Sequence, residues 1–250
     1  MSVVLDVDAL SKTFDGVQAV RNVSFSVRAG EVVALIGPNG AGKTTCFNLI
    51  NGQLAPDRGA VRLRGERIDA LPARKIAHKG VSRTFQVAAT FASMTVRENV
   101  ELASLAHARR DGRLFERRTA QWRERVDALL MRTGIAAIAD RHCATLSYGD
   151  VKRVELALAL ANEPTLMLMD EPAAGMAHSM RSEPIRVAVE LARRDRLAVL
   201  FTEHDMDIVF GFAERVIVLD RGAIIAEGTP EQIRANAQVQ AVYLGLDEPA

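Results

Sequence analysis

Several features are scarce in this 250-residue sequence, and each scarcity excludes a class of protein. The two cysteines, Cys46 and Cys143, are too few for a disulfide framework or a four-ligand zinc site, so we expect structural thiols and a reducing compartment. No apolar run reaches membrane-spanning length, and the N-terminus lacks the pattern of an export signal. If the protein works at a membrane, we expect another chain to span it.

Charge of one sign and aromatic residues are also scarce. The formal net charge is +1 and aromatic residues make up 5% of the chain, so nothing in the overall composition attracts nucleic acid. The Arg-rich segment from His107 to Leu130 contains acidic residues and one Trp, which gives no stacking platform for bases. We therefore expect no nucleic-acid partner.

Short hydrophobic stretches recur along the chain and alternate with segments of helical periodicity. The segment Val23–Val27 alternates apolar and small polar residues, as a half-buried strand does. Four further stretches are largely apolar: VVALIG, TLMLMD, AVLFTE and RVIVLD. Strands that alternate with helices predict an α/β fold with a largely parallel, doubly wound sheet. The segment from about Met94 to Leu130 predicts a helical lobe inserted into that sheet domain.

The C-terminal region has a clear helix start. The segment GAIIAEGTPEQIRA predicts a hairpin-like strand pair followed by a helix that begins near Thr229 and Pro230. A threonine is a good helix cap, and proline is well tolerated in the first turn.

The segment GPNGAGKT, Gly37 to Thr44, matches the phosphate-loop pattern G-x-x-x-x-G-K-[ST] in full. A hydrophobic strand precedes it and an amphipathic helix follows, which is the context that the pattern requires. Glycines let backbone N–H groups curl around phosphate oxygens, and the helix N-terminus adds partial positive charge. We predict that Lys43 reaches the outer phosphates of a nucleoside triphosphate and that the Thr44 hydroxyl binds Mg²⁺.

Two carboxylates follow the apolar strand TLMLMD. Asp170 and Glu171 stand where a parallel sheet presents its ligand crevice. An acidic pair on the surface is the alternative, but the apolar character of the strand indicates burial. We predict that one carboxylate of the pair helps to hold Mg²⁺ through water and that its neighbour polarises an attacking water.

Between these two elements stands LSYGD, Leu146 to Asp150, and with it the chain resembles the ATP-binding subunit of ATP-binding cassette (ABC) transporters. The resemblance covers nearly the whole sequence. Six motifs carry it in order: Phe14 in KTFDG, the phosphate loop, Gln86 in RTFQ, the signature segment LSYGD, LMLMDE, and His204 in FTEHD.

The resemblance implies a P-loop nucleotide-hydrolase core with a mostly parallel sheet, an N-terminal antiparallel β portion and an inserted α-helical lobe. It implies one ABC ATPase domain over residues 1–250. Within it, residues 1–86 and 160–250 form the nucleotide-binding core, and about 87–159 form the lobe that carries the signature segment. The implied activity is ATP hydrolysis coupled to transport across a membrane.

The resemblance also assigns roles around the bound ATP. Glu171 is the general base or positions the water, and His204 hydrogen-bonds the γ-phosphate. Gln86 senses Mg²⁺, which Thr44 and Asp170 also bind, and couples the site to the lobe. Phe14 stacks on adenine, and the remaining contacts come from the phosphate loop: Asn39, Gly40, Ala41, Gly42, Lys43, Thr44 and Thr45.

The signature segment would act on a second subunit. In the family, Ser147 and the Gly149 backbone face the γ-phosphate that the partner subunit binds. A serine, a glycine and a helix end form an anion receptor without a catalytic side chain. Two ATP molecules between two subunits would then close a dimer, formed either by two copies or with a related subunit.

The chain departs from the common family pattern at two places. The commonest signature ends in Gly-Gln, whereas Tyr148 and Asp150 flank the glycine here. Members often carry Ser-Ala-Leu-Asp after the acidic strand, whereas AAGM and Ala177 stand here. Only a turn, marked by Pro172 and Gly175, is carried over for that loop.

The chain resembles one branch of the family, the ATPase subunits of importers for branched-chain and other hydrophobic amino acids. The segments that carry this resemblance are RTFQ, FASMTVRENV, the signature segment, AGMA and the C-terminal VYLG. That branch implies membrane permeases, a second ABC ATPase and, indirectly, an extracytoplasmic solute-binding protein. It places the chain peripherally, on the cytoplasmic face of the inner (plasma) membrane. The segment from Phe85 to Val96 is expected either to form a groove for a permease helix, with Phe91 and Met94 as anchors, or to be a buried lobe junction.

Other functions stay open at this point. The nearer alternatives are the ATPase of another importer or of a lipid exporter. A soluble ABC ATPase of DNA repair or of the ribosome would need a long coiled coil or a second cassette. A P-loop kinase would leave the signature segment and His204 without a role.

Overall fold

The computed structural model describes residues 2–84, 90–108, 120–176 and 180–244. Within those ranges the chain forms ten strands and nine α-helices. The strands are β1 (Val3–Phe14), β2 (Val17–Arg28), β3 (Val32–Ile36), β4 (Arg58–Leu63), β5 (Glu66–Arg67), β6 (Val81–Thr84), β7 (Leu166–Asp170), β8 (Ala198–Thr202), β9 (Arg215–Asp220) and β10 (Ala223–Gly228). The helices are α1 (Lys43–Ile50), α2 (Ala73–His78), α3 (Val96–Ala108), α4 (Ala120–Arg132), α5 (Tyr148–Leu160), α6 (Glu183–Asp195), α7 (Met206–Phe212), α8 (Pro230–Arg234) and α9 (Ala237–Leu244).

A six-stranded sheet forms the centre of the molecule, in the order β10-β9-β3-β8-β7-β6. Every neighbouring pair from β9 to β6 is parallel, and β10 closes one edge as the antiparallel partner of β9. The mostly parallel α/β core predicted from the sequence is therefore confirmed. Because β3, β8 and β7 are adjacent and point the same way, their carboxyl ends meet at one edge.

The three central strands are buried at every residue. Along each strand, alternate side chains enter two different hydrophobic cores, as the two-residue period of a strand dictates. In β8, Val199 and Phe201 join the core on one face of the sheet, whereas Ala198 and Leu200 join the core on the other. Burial on both faces explains why these strands read as continuous apolar runs in the sequence.

A second sheet of four antiparallel strands, in the order β2-β1-β4-β5, covers one of these cores together with α1. This confirms the N-terminal antiparallel portion. Its first hairpin turns at Asp15 and Gly16, whose φ angles of 45° and 86° suit a tight two-residue turn. The turn leaves Phe14 and Val17 paired at the tip of the hairpin, 40% and 70% exposed.

Helices α3, α4 and α5 pack on one another and supply much of the other core. The helical segment expected between Met94 and Leu130 is present as α3 and α4, with residues 109–119 outside the described ranges. Helix α5 also packs against β6 and α6, so it joins these helices to the sheet. The division into core and lobe at the residues given above stays a prediction.

The C-terminal region follows its sequence closely. β9 and β10 form the predicted antiparallel pair, and α8 begins at Pro230 with Thr229 as its cap. Thr229 Oγ1 accepts from the Gln232 N–H, while Gln232 Oε1 accepts from the Thr229 N–H, which completes a reciprocal capping box. Across the described ranges, every helix is too short or too polar to traverse a bilayer.

The burial of the central strands predicts a large loss of stability when Phe201 is truncated. Phe201 is fully buried, so Phe201→Ala removes its packing and leaves a cavity. We expect about 3–5 kcal/mol of lost unfolding free energy in urea denaturation. The matched control is Phe91→Ala at a side chain that is 56% exposed, where a change within about 0.5 kcal/mol is expected. Equal losses for the two variants would contradict this assignment of the core.

Candidate nucleotide site

The phosphate loop connects β3 to α1, and two of its glycines are required by close backbone contacts. At Gly37, an added Cβ would lie 2.2 Å from the carbonyl oxygen of Leu219. At Gly42, which has a φ of 103°, it would lie 2.3 Å from the carbonyl oxygen of Ala19. Asn39 and Gly40 are exposed at the tip, so the loop presents its backbone to solvent while its base is fixed by packing.

Lys43 is the first residue of α1 and is 7% exposed. Its ammonium donates to the carbonyl oxygens of Gly37, at 2.6 Å, and Pro38, at 3.1 Å. Burial lowers the pKa of Lys43, while the negative charges of Glu171 and Asp170 act in the opposite direction. The structure therefore brings the loop lysine and the acidic end of β7 into one electrostatic environment.

Asp170 ends β7 and is held from two sides. Its Oδ1 accepts from the Thr202 hydroxyl at 2.9 Å, and its Oδ2 accepts from Arg83 Nη2 at 2.6 Å. Thr202 is the residue opposite Asp170 in the register of β8 with β7, so the sheet itself sets the first contact. The sequence analysis did not select Arg83. The signal that could have found it is a charged residue within the short strand VSRT of the sheet, where its side chain needs a partner.

Glu171 and His204 lie at the ends of neighbouring strands, and the structure brings them together. His204 Nε2 is 2.9 Å from Glu171 Oε1. The Glu171 N–H donates to the carbonyl oxygen and the hydroxyl of Thr202, both at 3.1 Å, and the residue has a φ of 48°. An uncommon backbone conformation thus turns the Glu171 side chain out of the strand and toward His204.

Glu203 is a second residue to which the sequence analysis assigned no role of its own. It is 4% exposed and accepts hydrogen bonds from the Ala173 N–H at 2.7 Å and the His204 N–H at 3.2 Å. Burial raises the pKa of Glu203, and the charge of Glu171 adds to that rise. Its carboxyl group joins the turn after Glu171 to the loop that carries His204.

The signature segment begins α5. Ser147 caps the helix: its Oγ accepts from the Asp150 N–H at 3.2 Å and donates to Asp150 Oδ2 at 2.7 Å. The hydroxyl of Tyr148 donates to the carbonyl oxygen of Ala174 at 3.0 Å. Gly149 is buried, and an added Cβ there would lie only 2.8 Å from Met180 Cε. The exposed face of the segment is therefore Ser147 and the ring of Tyr148.

The other predicted contacts lie at the rim. Phe14 is exposed at the hairpin tip, with Lys12 Nζ 5.6 Å from its ring centre. Thr44 is exposed and Thr45 half-buried in the first turn of α1, while Ala41 is buried. Gln86 and Ala177 lie outside the described residues.

Two sequence families match this chain. Residues 20–174, from β2 to beyond β7, match the family described as ABC transporter. The chain belongs to the ABC transporter family. Residues 223–248 match the family described as branched-chain amino acid ATP-binding cassette transporter. An ABC cassette binds and hydrolyses ATP to power transport, so this cassette is an ATPase.

Known proteins resemble this cassette over nearly its whole length. The high-affinity branched-chain amino acid transport ATP-binding protein LivG of Salmonella typhimurium is 39% identical, over 97% of this chain and 98% of LivG. The lipopolysaccharide export system ATP-binding protein LptB of Haemophilus influenzae is 37% identical, over 97% of each chain. In structure, the cassette is similar to the ADP conformation of MJ1267, an ATP-binding cassette of an ABC transporter. That match has a TM-score of 0.85 and 29% identity, and covers 98% of this chain and 100% of MJ1267.

The oxygen groups near the phosphate loop fit Mg²⁺ bound together with a nucleotide. Thr44 offers a hydroxyl and Asp170 a carboxylate, which are the hard donors that Mg²⁺ prefers. No group of three or more His, Cys, Asp or Glu side chains that could hold a metal ion occurs in the described part of the cassette. One carboxylate and one hydroxyl suit Mg²⁺, which usually keeps several waters and binds one or two carboxylates plus substrate phosphates.

A groove of about 430 Å³ opens between β6, α2, α3 and α5. Its wall is mostly apolar and includes Ile76, Phe91, Leu102, Leu158, Gln53 and Arg83. Phe91 and Leu102 are 56% and 43% exposed within it, whereas the other expected anchor, Met94, is half-buried and lies outside the groove lining. The groove contacts the nucleotide site through Arg83.

The close contacts of the loop predict unequal effects of two alanine substitutions. In Gly40→Ala, the added Cβ meets no atom within 4 Å. The expected loss of stability is therefore only the strain of an alanine at the left-handed φ of 81°, about 1–2 kcal/mol. Gly42→Ala adds the contact with Ala19, so the nucleotide-free melting temperature should fall further than in Gly40→Ala. Differential scanning calorimetry without nucleotide measures both, and an equal fall would contradict the observed packing of the loop.

Proposed function

We propose that this cassette is the ATP-hydrolysing subunit of an importer for branched-chain or other hydrophobic amino acids, working through membrane permeases. The observation that carries the solute class is the match of residues 223–248 to the branched-chain amino acid cassette family. That segment begins at β10 and includes α8 and α9. It lies C-terminal to residues 20–174, which match the general ABC transporter family. The 39% identity to LivG supports the same solute class.

In this proposal, Glu171 positions or deprotonates the attacking water and His204 hydrogen-bonds the γ-phosphate. Their 2.9 Å contact supports a shared task, because it holds both side chains at the carboxyl edge of the sheet. Lys43 and the backbone of the phosphate loop hold the phosphates, where charge-assisted hydrogen bonds are strongest. Phe14 receives the adenine ring on its exposed face.

Mg²⁺ would be held by Thr44 and Asp170, with Gln86 as a third contact. When bound, the ion would neutralise charge that develops on the phosphate oxygens. The residues of the chain do the rest: Thr202 and Arg83 fix the direction of the Asp170 carboxylate. Gln86 would couple the Mg²⁺–ATP site to the helical lobe, as the family resemblance implies.

The signature segment completes a site on a second cassette. Ser147 is exposed at the start of α5, where a helix terminus and a hydroxyl suit a phosphate group. Because Ser147 Oγ also donates to Asp150, the hydroxyl must exchange that acceptor for the partner's γ-phosphate when the dimer closes. The dimer would be formed by two copies of this chain or with a related subunit. ATP bound between the two cassettes would hold the dimer together until hydrolysis.

The groove beside Arg83 would receive a cytoplasmic helix of a permease. Its apolar wall, with Phe91 and Leu102 exposed, suits the apolar face of an amphipathic helix. Such docking would place the cassette peripherally on the cytoplasmic face of the inner membrane. An extracytoplasmic solute-binding protein would take part indirectly, since it would contact the permeases rather than this chain.

One specific observation favours a second candidate function, the ATPase subunit of a lipid exporter. The 37% identity to LptB is close to the identity to LivG, and LptB is named for lipopolysaccharide export. Affinity purification from native membranes in mild detergent, followed by mass spectrometry and solute uptake by the reconstituted complex, separates the two. Permeases, a second cassette and ATP-dependent leucine uptake support the amino-acid importer. Lipid-exporter permeases without amino-acid uptake would overturn it.

The role of Glu171 predicts a separation of binding from hydrolysis. Glu171→Gln keeps the size and most hydrogen bonds of the side chain but removes the base, so turnover should fall by at least about 100-fold while ATP binding is kept. Phosphate release and fluorescent-nucleotide binding measure the two quantities. Glu190→Gln, at an exposed position on α6, is the matched control and should keep wild-type turnover. Wild-type turnover in Glu171→Gln would refute the assignment.

The groove predicts a variant that uncouples transport. Phe91→Asp places a charge on the apolar wall, so permease binding and uptake by the assembled transporter should be lost while isolated ATP binding persists. Met131→Asp is the matched control, since Met131 is 72% exposed on α4 and lies outside the groove lining. Co-purification with the permeases and uptake in vesicles are the measurements. Unchanged uptake in Phe91→Asp would rule out docking at this wall.

A further inference from the structure

Arg83 occupies an unusual position for a charged residue. It lies in β6, a short parallel strand at the edge of the central sheet, and its side chain is only 9% exposed. A buried guanidinium needs partners for its charge and its donors. The partners it has belong to three different elements of the cassette.

The inner edge of the guanidinium holds Asp170. Arg83 Nη2 donates to Asp170 Oδ2 at 2.6 Å, while Thr202 donates to the other carboxylate oxygen at 2.9 Å. Asp170 is itself 6% exposed. With one donor on each oxygen, the plane of the carboxylate is fixed, and Arg83 supplies the positive charge that compensates it.

The outer edge of the guanidinium is held in turn. Arg83 Nη1 donates to Asn48 Oδ1 at 2.6 Å and to Gln53 Oε1 at 3.1 Å, and the group lies 5.7 Å from the ring centre of Phe47. Asn48 belongs to α1, the helix that begins at Lys43. Gln53 is exposed and lines the groove. The arginine therefore connects the phosphate-loop helix, the groove and the acidic end of β7.

We propose that Arg83 is the positioning residue for the Asp170 carboxylate in the Mg²⁺–ATP site, and that Gln53 anchors it from the groove. The inference rests on the proposed function, in which Asp170 binds Mg²⁺ and the groove receives a permease helix. Residues that orient a metal ligand change metal affinity by about 10–100-fold when they are replaced. A helix seated in the groove would meet Gln53 and so act on the far end of the same contact chain.

The geometry requires the fork of an arginine. A guanidinium can donate from two edges in one plane, whereas the ammonium of a lysine is a compact point charge. Arg83→Lys therefore keeps the positive charge but cannot hold Asp170 and the two amide oxygens together. The substitution separates positioning from charge, which a change to alanine would not do.

The test is a Mg²⁺ titration of nucleotide binding by the isolated cassette. The melting temperature is recorded with saturating ATP, first in EDTA and then at rising Mg²⁺. The Mg²⁺ midpoint is the Mg²⁺ concentration that gives half of the additional rise in melting temperature. In Arg83→Lys, we expect this midpoint to rise about tenfold. The rise in melting temperature that ATP causes in EDTA should stay unchanged. An unchanged Mg²⁺ midpoint in a folded Arg83→Lys variant would overturn the proposal.

Three further variants make the result specific. Gln53→Leu alters an exposed position, where folding is at little risk, and should move the Mg²⁺ midpoint in the same direction by less; no movement would overturn the link to the groove. In an Asp170→Asn background, Arg83→Lys should add no further shift, and an added shift would show that Arg83 does not act through Asp170. Arg186→Lys, an exposed arginine with ion pairs on α6, should keep the wild-type midpoint.

Failure of the inference and failure of the proposed function give different results. If the wild-type cassette showed no Mg²⁺-dependent stabilisation by ATP, the assignment of the site would be wrong. If the wild type showed it and Arg83→Lys matched the wild type, only the role of Arg83 would be lost. If Arg83→Lys did not fold, Gln53→Leu would be read in its place: a raised Mg²⁺ midpoint would support the proposal, and an unchanged midpoint would overturn the link from the groove to Asp170 through Arg83.

Discussion

The pairing of one buried carboxylate, that of Asp170, constrains much of this structure. Asp170 stands at the end of a strand that is apolar and buried throughout, and a carboxylate in such surroundings is costly unless it is paired. Its two partners, Thr202 and Arg83, lie on the strands to either side of β7. The register of three parallel strands is therefore tied to the pairing of one carboxylate, which is the carboxylate proposed to bind Mg²⁺.

The polar groups around Asp170 form connected pairs rather than isolated side chains. Glu203, buried beneath the site, holds the turn after Glu171 and the loop of His204 through backbone N–H groups. His204 in turn contacts Glu171. These contacts fix the ends of β7 and β8 relative to each other, so the proposed base and the proposed γ-phosphate contact are placed by the sheet. Preorganisation of this kind lowers the reorganisation needed during a reaction.

The departures from the common family pattern have structural roles here. The Tyr148 hydroxyl donates to the carbonyl oxygen of Ala174, and its ring packs against Gly175, whose φ of 76° glycine adopts at little cost. The signature segment is thereby joined to the turn after Glu171 within one chain. Asp150, in place of the usual glutamine, holds the Ser147 hydroxyl. Both residues therefore hold the signature segment by contacts within the chain.

The sequence by itself determined the phosphate loop, the apolar strands of the sheet and the capped start of α8, because each depends on residues adjacent in the chain. It also predicted the family, because the motifs and their order along the chain can be read from the sequence alone. Only the tertiary structure decided which groups meet the side chains of Asp170, Glu171 and Tyr148. Arg83 and Asp170 are 87 residues apart, and Tyr148 and Ala174 are 26 apart. Contacts between residues so far apart depend on strand order and helix packing, which local periodicity does not encode.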